Sequence, residues 1–163
     1  MDYRQHSDLI AGLKRHEKAA VAHVLKSEAG QSFYTVCEKL CLKLNRETET
    51  LFKAAWQRAL TNSKSLGDSI DLWFLKNCHT EWLNLSQKNS LLKESSVQLS
   101  FDWSRVDPRQ SDDVLIILTP LEREVFIYRF WLKYPAALIT SIMAMQALEL
   151  QTLFHSTMGK IIK

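Results

Sequence analysis

Three cysteines, five histidines and a few neighbouring carboxylates are the residues of this chain whose chemistry could reach beyond packing. Cys37 and Cys41 stand four apart, a spacing that puts two thiolates on one face of a helix, where they could meet a metal. Apart from the Cys78–His79 pair no third and fourth ligand accompany them, so they read as buried structural cysteines. Their odd number argues against a disulfide framework. His6, His16, His23, His79 and His155 form no ligand cluster. Glu47 and Glu49 stand two apart on a helix and point to different faces, whereas acid–base catalysis needs its groups within reach of each other. No glycine-rich phosphate loop, nucleophile elbow or HExxH pattern occurs. The chain is therefore expected not to be an enzyme, and to use no metal, cofactor or small-molecule substrate.

The elements that carry these residues are expected to be helices. Only 4 Gly and 3 Pro interrupt 163 residues, and 46% hydrophobic with 24% charged residues is a globular balance. The net charge of +3 is compatible with an anionic partner without requiring one. No apolar run approaches the roughly 20 residues of a membrane span, and MDYRQHSDLI lacks a signal-peptide pattern. A cytoplasmic protein is expected.

Apolar periodicity predicts a helix over 7–29 capped by Ser7, a break at Gly30, and a second helix over 31–44. A third follows over about 48–60, then a polar loop over 61–69, then a fourth helix, capped by Asp68 or Ser69, to about 85. Trp56, Trp73 and Trp82 fall at helical spacing and read first as core. Residues 87–112 turn polar and read as an extended linker, within which Val97, Leu99, Phe101 and Trp103 alternate with polar residues. Thr119-Pro120-Leu121-Glu122 is a strong helix start, with Thr as cap and Pro in the first turn. That helix is predicted to run to about 133, with two more over about 136–144 and 147–162. The expectation is an all-α chain of two small helical domains, a bundle over 1–86 and a helix-turn-helix over 113–163.

Read in order, these segments resemble a compact extracytoplasmic-function sigma factor of bacterial RNA polymerase. LTPLEREVFIYRFW is similar to the opening helix of that family's C-terminal domain, and Ile139, Ile142 and Met143 fall on its apolar helix-turn-helix positions. Leu150, Phe154, Thr157 and Ile161 fall on the buried face of the recognition helix. ETETLFKAAWQRAL is similar to the polymerase-clamp-binding helix, and SIDLWFLKNCHTEWL to the helix that reads the melted promoter strand. The resemblance implies core RNA polymerase as partner, contacted by Glu49, Lys53, Trp56, Gln57 and Leu60. It also implies promoter DNA, contacted by Lys64, Trp73, Lys76 and His79 in one half and Gln151, Thr152 and His155 in the other, with an anti-sigma factor as a natural regulator.

The chain departs from the family where charge matters most. The clamp-binding helix reads Thr50-Leu51-Phe52-Lys53-Ala54 in place of an acidic and glutamine pattern. The recognition helix has Gln151, Leu153, Ser156 and Met158 where relatives carry basic residues, and Ala144 replaces the turn glycine. Phosphate contacts supply much of DNA affinity, so promoter binding is expected to be weak. Two alternatives stay open: a sigma-like regulator or adaptor that works through protein contacts without promoter reading, and an unrelated all-helical interaction module.

Overall fold

A computed structural model describes Tyr3, residues 5–94 and residues 112–161. Among these residues the protein is all-helical, with eight α-helices and short 3-10 turns between them. The alternating segment of Val97 to Trp103 lies outside the described residues.

Two short helices, α1 (His6–Lys14) and α2 (Lys18–Lys26), replace the single helix predicted over 7–29. The break falls at His16, whose φ of 58° no helix interior accommodates. Ser7 lies inside α1, which begins after Gln5. Gly30 does not stop a helix either. It sits in the first turn of α3 (Glu28–Leu40), because Ser27 caps that helix by accepting from the Gly30 N–H at 3.3 Å and donating to the Val24 carbonyl at 2.6 Å. The residue is glycine for lack of room: a Cβ there would lie 2.2 Å from the Val24 carbonyl oxygen.

The longest pair, α4 (Asn45–Thr61) and α5 (Ile70–Lys88), packs side by side against α3. Their apolar faces meet in an aromatic cluster, with Phe33 stacked on Phe74 at 4.3 Å and Trp56 edge-on to Trp73 at 6.0 Å. Helix α5 continues past residue 86, and a 3-10 turn over Ser90–Leu92 follows it. After the undescribed segment the chain resumes in a 3-10 helix over Asp112–Ile117. Thr119 then caps α6 (Pro120–Phe126) by accepting from Glu122 N–H at 3.2 Å, with proline in the first turn. A π turn over Ile127–Trp131 extends α6. Helices α7 (Ala136–Met143) and α8 (Ala147–Ile161) close the chain, bent 103° from each other across a turn in which Ala144 takes the left-handed conformation (φ 50°, ψ 47°). No single helix among the described residues is long and apolar enough to cross a membrane.

Buried residues on both sides of the undescribed segment form one contiguous core. Its centre is Arg123, which has no solvent exposure. Its guanidinium donates to the carbonyls of Leu115 at 2.9 Å, Leu40 at 2.9 Å, Leu92 at 2.8 Å and Leu118 at 3.2 Å, and lies over the Trp82 ring at 5.7 Å. Leu40 and Leu92 end α3 and the 3-10 turn, so the charge sits against carbonyls that helix ends leave unpaired and partly negative. Trp82 Nε1–H adds a bond to the Pro120 carbonyl at 3.1 Å, and Lys39 and Lys43 both grip Asp112, at 2.7 and 2.8 Å.

Arg123→Met removes four buried hydrogen bonds and leaves their carbonyls without donors. It should lower the free energy of unfolding by about 4 kcal/mol, read from urea denaturation. Gly30→Ala should cost at least about 2 kcal/mol in the same assay, since backbone must move to admit the methyl group. Gly67→Ala, at a site with nothing within 4 Å of the new Cβ, should stay within about 0.5 kcal/mol of the parent.

Candidate functional site

A groove of about 890 Å³ opens where the 61–69 loop, α5 and α7 meet. The loop is a 3-10 turn over Ser63–Ser65 followed by extended chain, and its geometry is held from outside. The His16 ring meets the Ser63 hydroxyl at 3.0 Å, and the His6 ring meets the Asp68 carbonyl at 2.6 Å. From inside, Asn62 donates to the Asn77 side chain at 3.0 Å, and Asn77 donates to the Trp73 carbonyl at 2.7 Å. The N-terminal helices thus brace the loop on which Lys64 sits.

Four of the seven residues expected to contact DNA line this groove: Lys64, Trp73, Lys76 and His79. Lys64 and Lys76 are exposed and make no ion pair among the described residues. Trp73 is placed differently from a base-stacking platform. Its ring is 3% exposed, packed edge-on to Trp56, with Nε1–H directed to the Asn62 carbonyl at 3.4 Å. The core reading of its spacing holds, and no ring face is offered for stacking. His79 is also largely buried, with Nδ1 2.8 Å from both carboxylate oxygens of Glu124, which in turn accepts from Tyr128 Oη at 2.8 Å. Glu124 has no solvent exposure, so this histidine–carboxylate–phenol cluster ties α5 to α6 behind the groove.

The polymerase-binding residues expected on α4 divide by helical phase. Glu49, Lys53 and Gln57, spaced by four, form an exposed strip, and Leu60 is half-buried beside it. Trp56 faces inward at 6% exposure, its indole N–H buried without a partner among the described residues, which removes it from that strip. On α8, Gln151, Thr152 and His155 are all exposed, and Leu148 near the helix start is 72% exposed. Leu150, Thr157 and Ile161 are buried as expected, with Phe154 half-buried. Lys160 is not available to a phosphate, because it pairs with Glu122 at 2.8 Å. Beside α8 an apolar pocket of about 530 Å³ is lined by Val125, Ile139, Leu150 and Phe154, with Arg129 and Gln151 among its polar members.

Several site residues carried no functional signal in the sequence. Arg58 lines the groove but is neutralised by Glu81 at 2.6 Å, and Ser141 and Ile142 enter from α7, far along the chain. Glu124 had one readable hint, the four-residue spacing to Tyr128 that lets the two side chains bond on one helix face. The three cysteines are buried in the core, with the Cys37 and Cys78 sulfurs 3.8 Å apart. Burial pushes the Cys41 thiol up to about 12. The Cys78 thiol is raised by its contact with Cys37 and by burial, and the Tyr128 phenol by burial beside Glu124.

No family model matches this chain, and no curated protein sequence matches it significantly.

The raised thiols make stability depend on alkaline pH. The unfolded chain releases the Cys41 proton near its ordinary value of 9.0, whereas the folded chain keeps it up to about 12. The contribution is therefore complete below pH 9 and is lost as pH rises from 9 towards about 12. The urea midpoint should fall steadily over that interval, and Cys41→Ala should flatten the decline. At pH 8 a thiol reagent such as dithionitrobenzoate should label none of the three cysteines in the native chain and all three in denaturant.

Proposed function

We propose that this protein is a sigma-factor-like transcription initiation protein that binds core RNA polymerase and promoter DNA. The observation that carries the reading is the geometry of α7 and α8. Two helices set 103° apart across a short turn, with a left-handed residue in the turn, have the form of a DNA-binding helix-turn-helix. Gln151, Thr152 and His155 project from the second of them. Gln151 can pair with adenine through two hydrogen bonds. In this reading residues 113–163 are the C-terminal promoter-reading domain, residues 1–86 the core-binding and strand-reading domain, and 87–112 their linker. The Glu49–Lys53–Gln57 strip is the polymerase contact, and the Lys64–Lys76 groove meets the melted strand. An anti-sigma factor would act by covering these faces.

A second reading is supported by the make-up of α8. Its exposed face carries no lysine or arginine among the described residues, presents Leu148, and borders an apolar pocket. Such a surface suits a protein partner better than a phosphate backbone. A polymerase-bound regulator or adaptor that does not read promoters would have this character.

Co-purification with core RNA polymerase, followed by run-off transcription on a promoter library, separates the two. The sigma reading expects a stable complex and promoter-specific transcripts. Gln151→Ala with His155→Ala should cut those transcripts by about tenfold or more while leaving core binding intact. Glu49→Lys with Lys53→Glu should weaken core binding itself. Core binding without transcripts would establish the regulator instead, and the absence of core binding would sink both.

A further inference from the structure

The groove under the 61–69 loop has properties that a passing strand contact does not require. Its wall on one side comes from the loop and α5, and on the other from Ser141 and Ile142 of α7 and Ala144 in the turn after it. The α7 wall packs directly against α5, and α6, which precedes it in the chain, is tied to the N-terminal helices by Glu124 on His79 and Arg123 on the carbonyls of Leu40 and Leu92. The cavity is thus already formed in the free chain, which spares a ligand the cost of ordering it. Its volume of about 890 Å³ lies within the range of small-molecule sites, about 300–1,000 Å³.

The lining specifies a class of ligand. Lys64 and Lys76 bring two positive charges with no carboxylate partner among the described residues, a setting that favours a multiply charged anion such as a phosphate group. Half-buried Leu72 and exposed Ala144 supply an apolar surface, on which a flat heterocycle can lie. Asp68 adds a carboxylate that can accept from ribose hydroxyls or an exocyclic amine. The His79 ring, with Nδ1 committed to Glu124, keeps Nε2 for the groove. An inorganic anion would use only the lysines, and an apolar ligand would leave them unused.

We propose that this groove is a binding site for a free nucleoside phosphate, held between α5 and α7 so that it bridges the two ends of the chain. The inference rests on the cavity and its lining and not on the transcription reading. If both hold, the nucleotide and a DNA strand compete for Lys64 and Lys76, and the nucleotide becomes a regulator of strand binding.

The test is titration calorimetry and thermal denaturation of the full chain with AMP, ADP, ATP, their guanine counterparts, pyrophosphate and adenosine. At least one nucleotide should bind with a dissociation constant well below about 1 mM and raise the melting temperature. Adenosine and pyrophosphate should each bind about tenfold or more weakly than that nucleotide. Lys64→Glu with Lys76→Glu should reduce its affinity by about tenfold or more, and Lys64→Gln with Lys76→Gln by less, with unliganded melting temperatures unchanged because both side chains are exposed. Ser141→Trp, which fills the groove from α7 and leaves the lysines untouched, should abolish binding.

The proposal is overturned if no nucleotide binds below about 1 mM, or if binding ignores the lysine variants. Pyrophosphate binding as tightly as the nucleotides would overturn the nucleoside part, and an ineffective Ser141→Trp would overturn the bridging. A single-stranded oligonucleotide that binds through the lysines where free nucleotides do not would assign the groove to a strand. Co-purification of the Lys64→Glu, Lys76→Glu variant with core polymerase keeps the two ideas apart, since the α4 strip is untouched in it.

Discussion

A guanidinium buried among main-chain carbonyls, with no ion pair among the described residues, is the constraint around which this molecule is arranged. Taking such a charge out of water costs several kcal/mol unless polar groups surround it. Here the compensation comes from four main-chain carbonyls, from the ends of α3, the Ser90–Leu92 turn and the 112–118 segment, together with the face of Trp82. Burial pulls Arg123 down to about 10, which leaves it charged at neutral pH. The planar fork of arginine can satisfy these acceptors only if all of them converge at set angles. The residue that anchors α6 therefore also determines where α3, α5 and the C-terminal helices stand relative to one another.

The groove follows from that arrangement. With α6 anchored by Arg123, Glu124 on the same helix reaches His79 on α5, and α7 is left facing the 61–69 loop. The loop is fixed independently, by His6 and His16 from the N-terminal helices. One consequence is chemical. His79 loses its freedom as a surface contact and becomes a buried connector with one ring nitrogen committed, while Lys64 and Lys76 stay exposed at the groove. The two lysines thus stand at the groove between α5 and α7, and the exposed face of α8 carries no lysine or arginine among the described residues.

That distribution bears on both functional readings. With Lys160 tied to Glu122, α8 has little to offer a phosphate backbone, so under the DNA-binding reading any promoter affinity would depend on hydrogen bonding by Gln151, Thr152 and His155 and on help from elsewhere. The same face, with Leu148 exposed and an apolar pocket beside it, has the chemistry of a protein contact. The two uses are not exclusive on one surface, because phosphate affinity and apolar packing draw on different residues.

The amino-acid sequence by itself determined the helical class, most of the later helix starts and much of the core, because periodicity, caps and proline placement act over a few residues. Ser69 and Thr119 cap their helices as their types dictate, and Trp56, Trp73 and Trp82 are inside as their spacing requires. Local signals misplaced the first break. Gly30 looked like a stop, yet its missing side chain answers the approach of the Val24 carbonyl, and His16 makes the turn. The exposed strip on α4 was legible from helical phase, and so was the inward turn of Trp56. Only the tertiary structure decided that Arg123 and Glu124 are interior groups, that His79 is their neighbour's partner, and that α7 supplies the far wall of the groove. Those contacts join residues 31 to 83 positions apart, and charged side chains in a helix look the same in sequence whether water or a ring of carbonyls receives them.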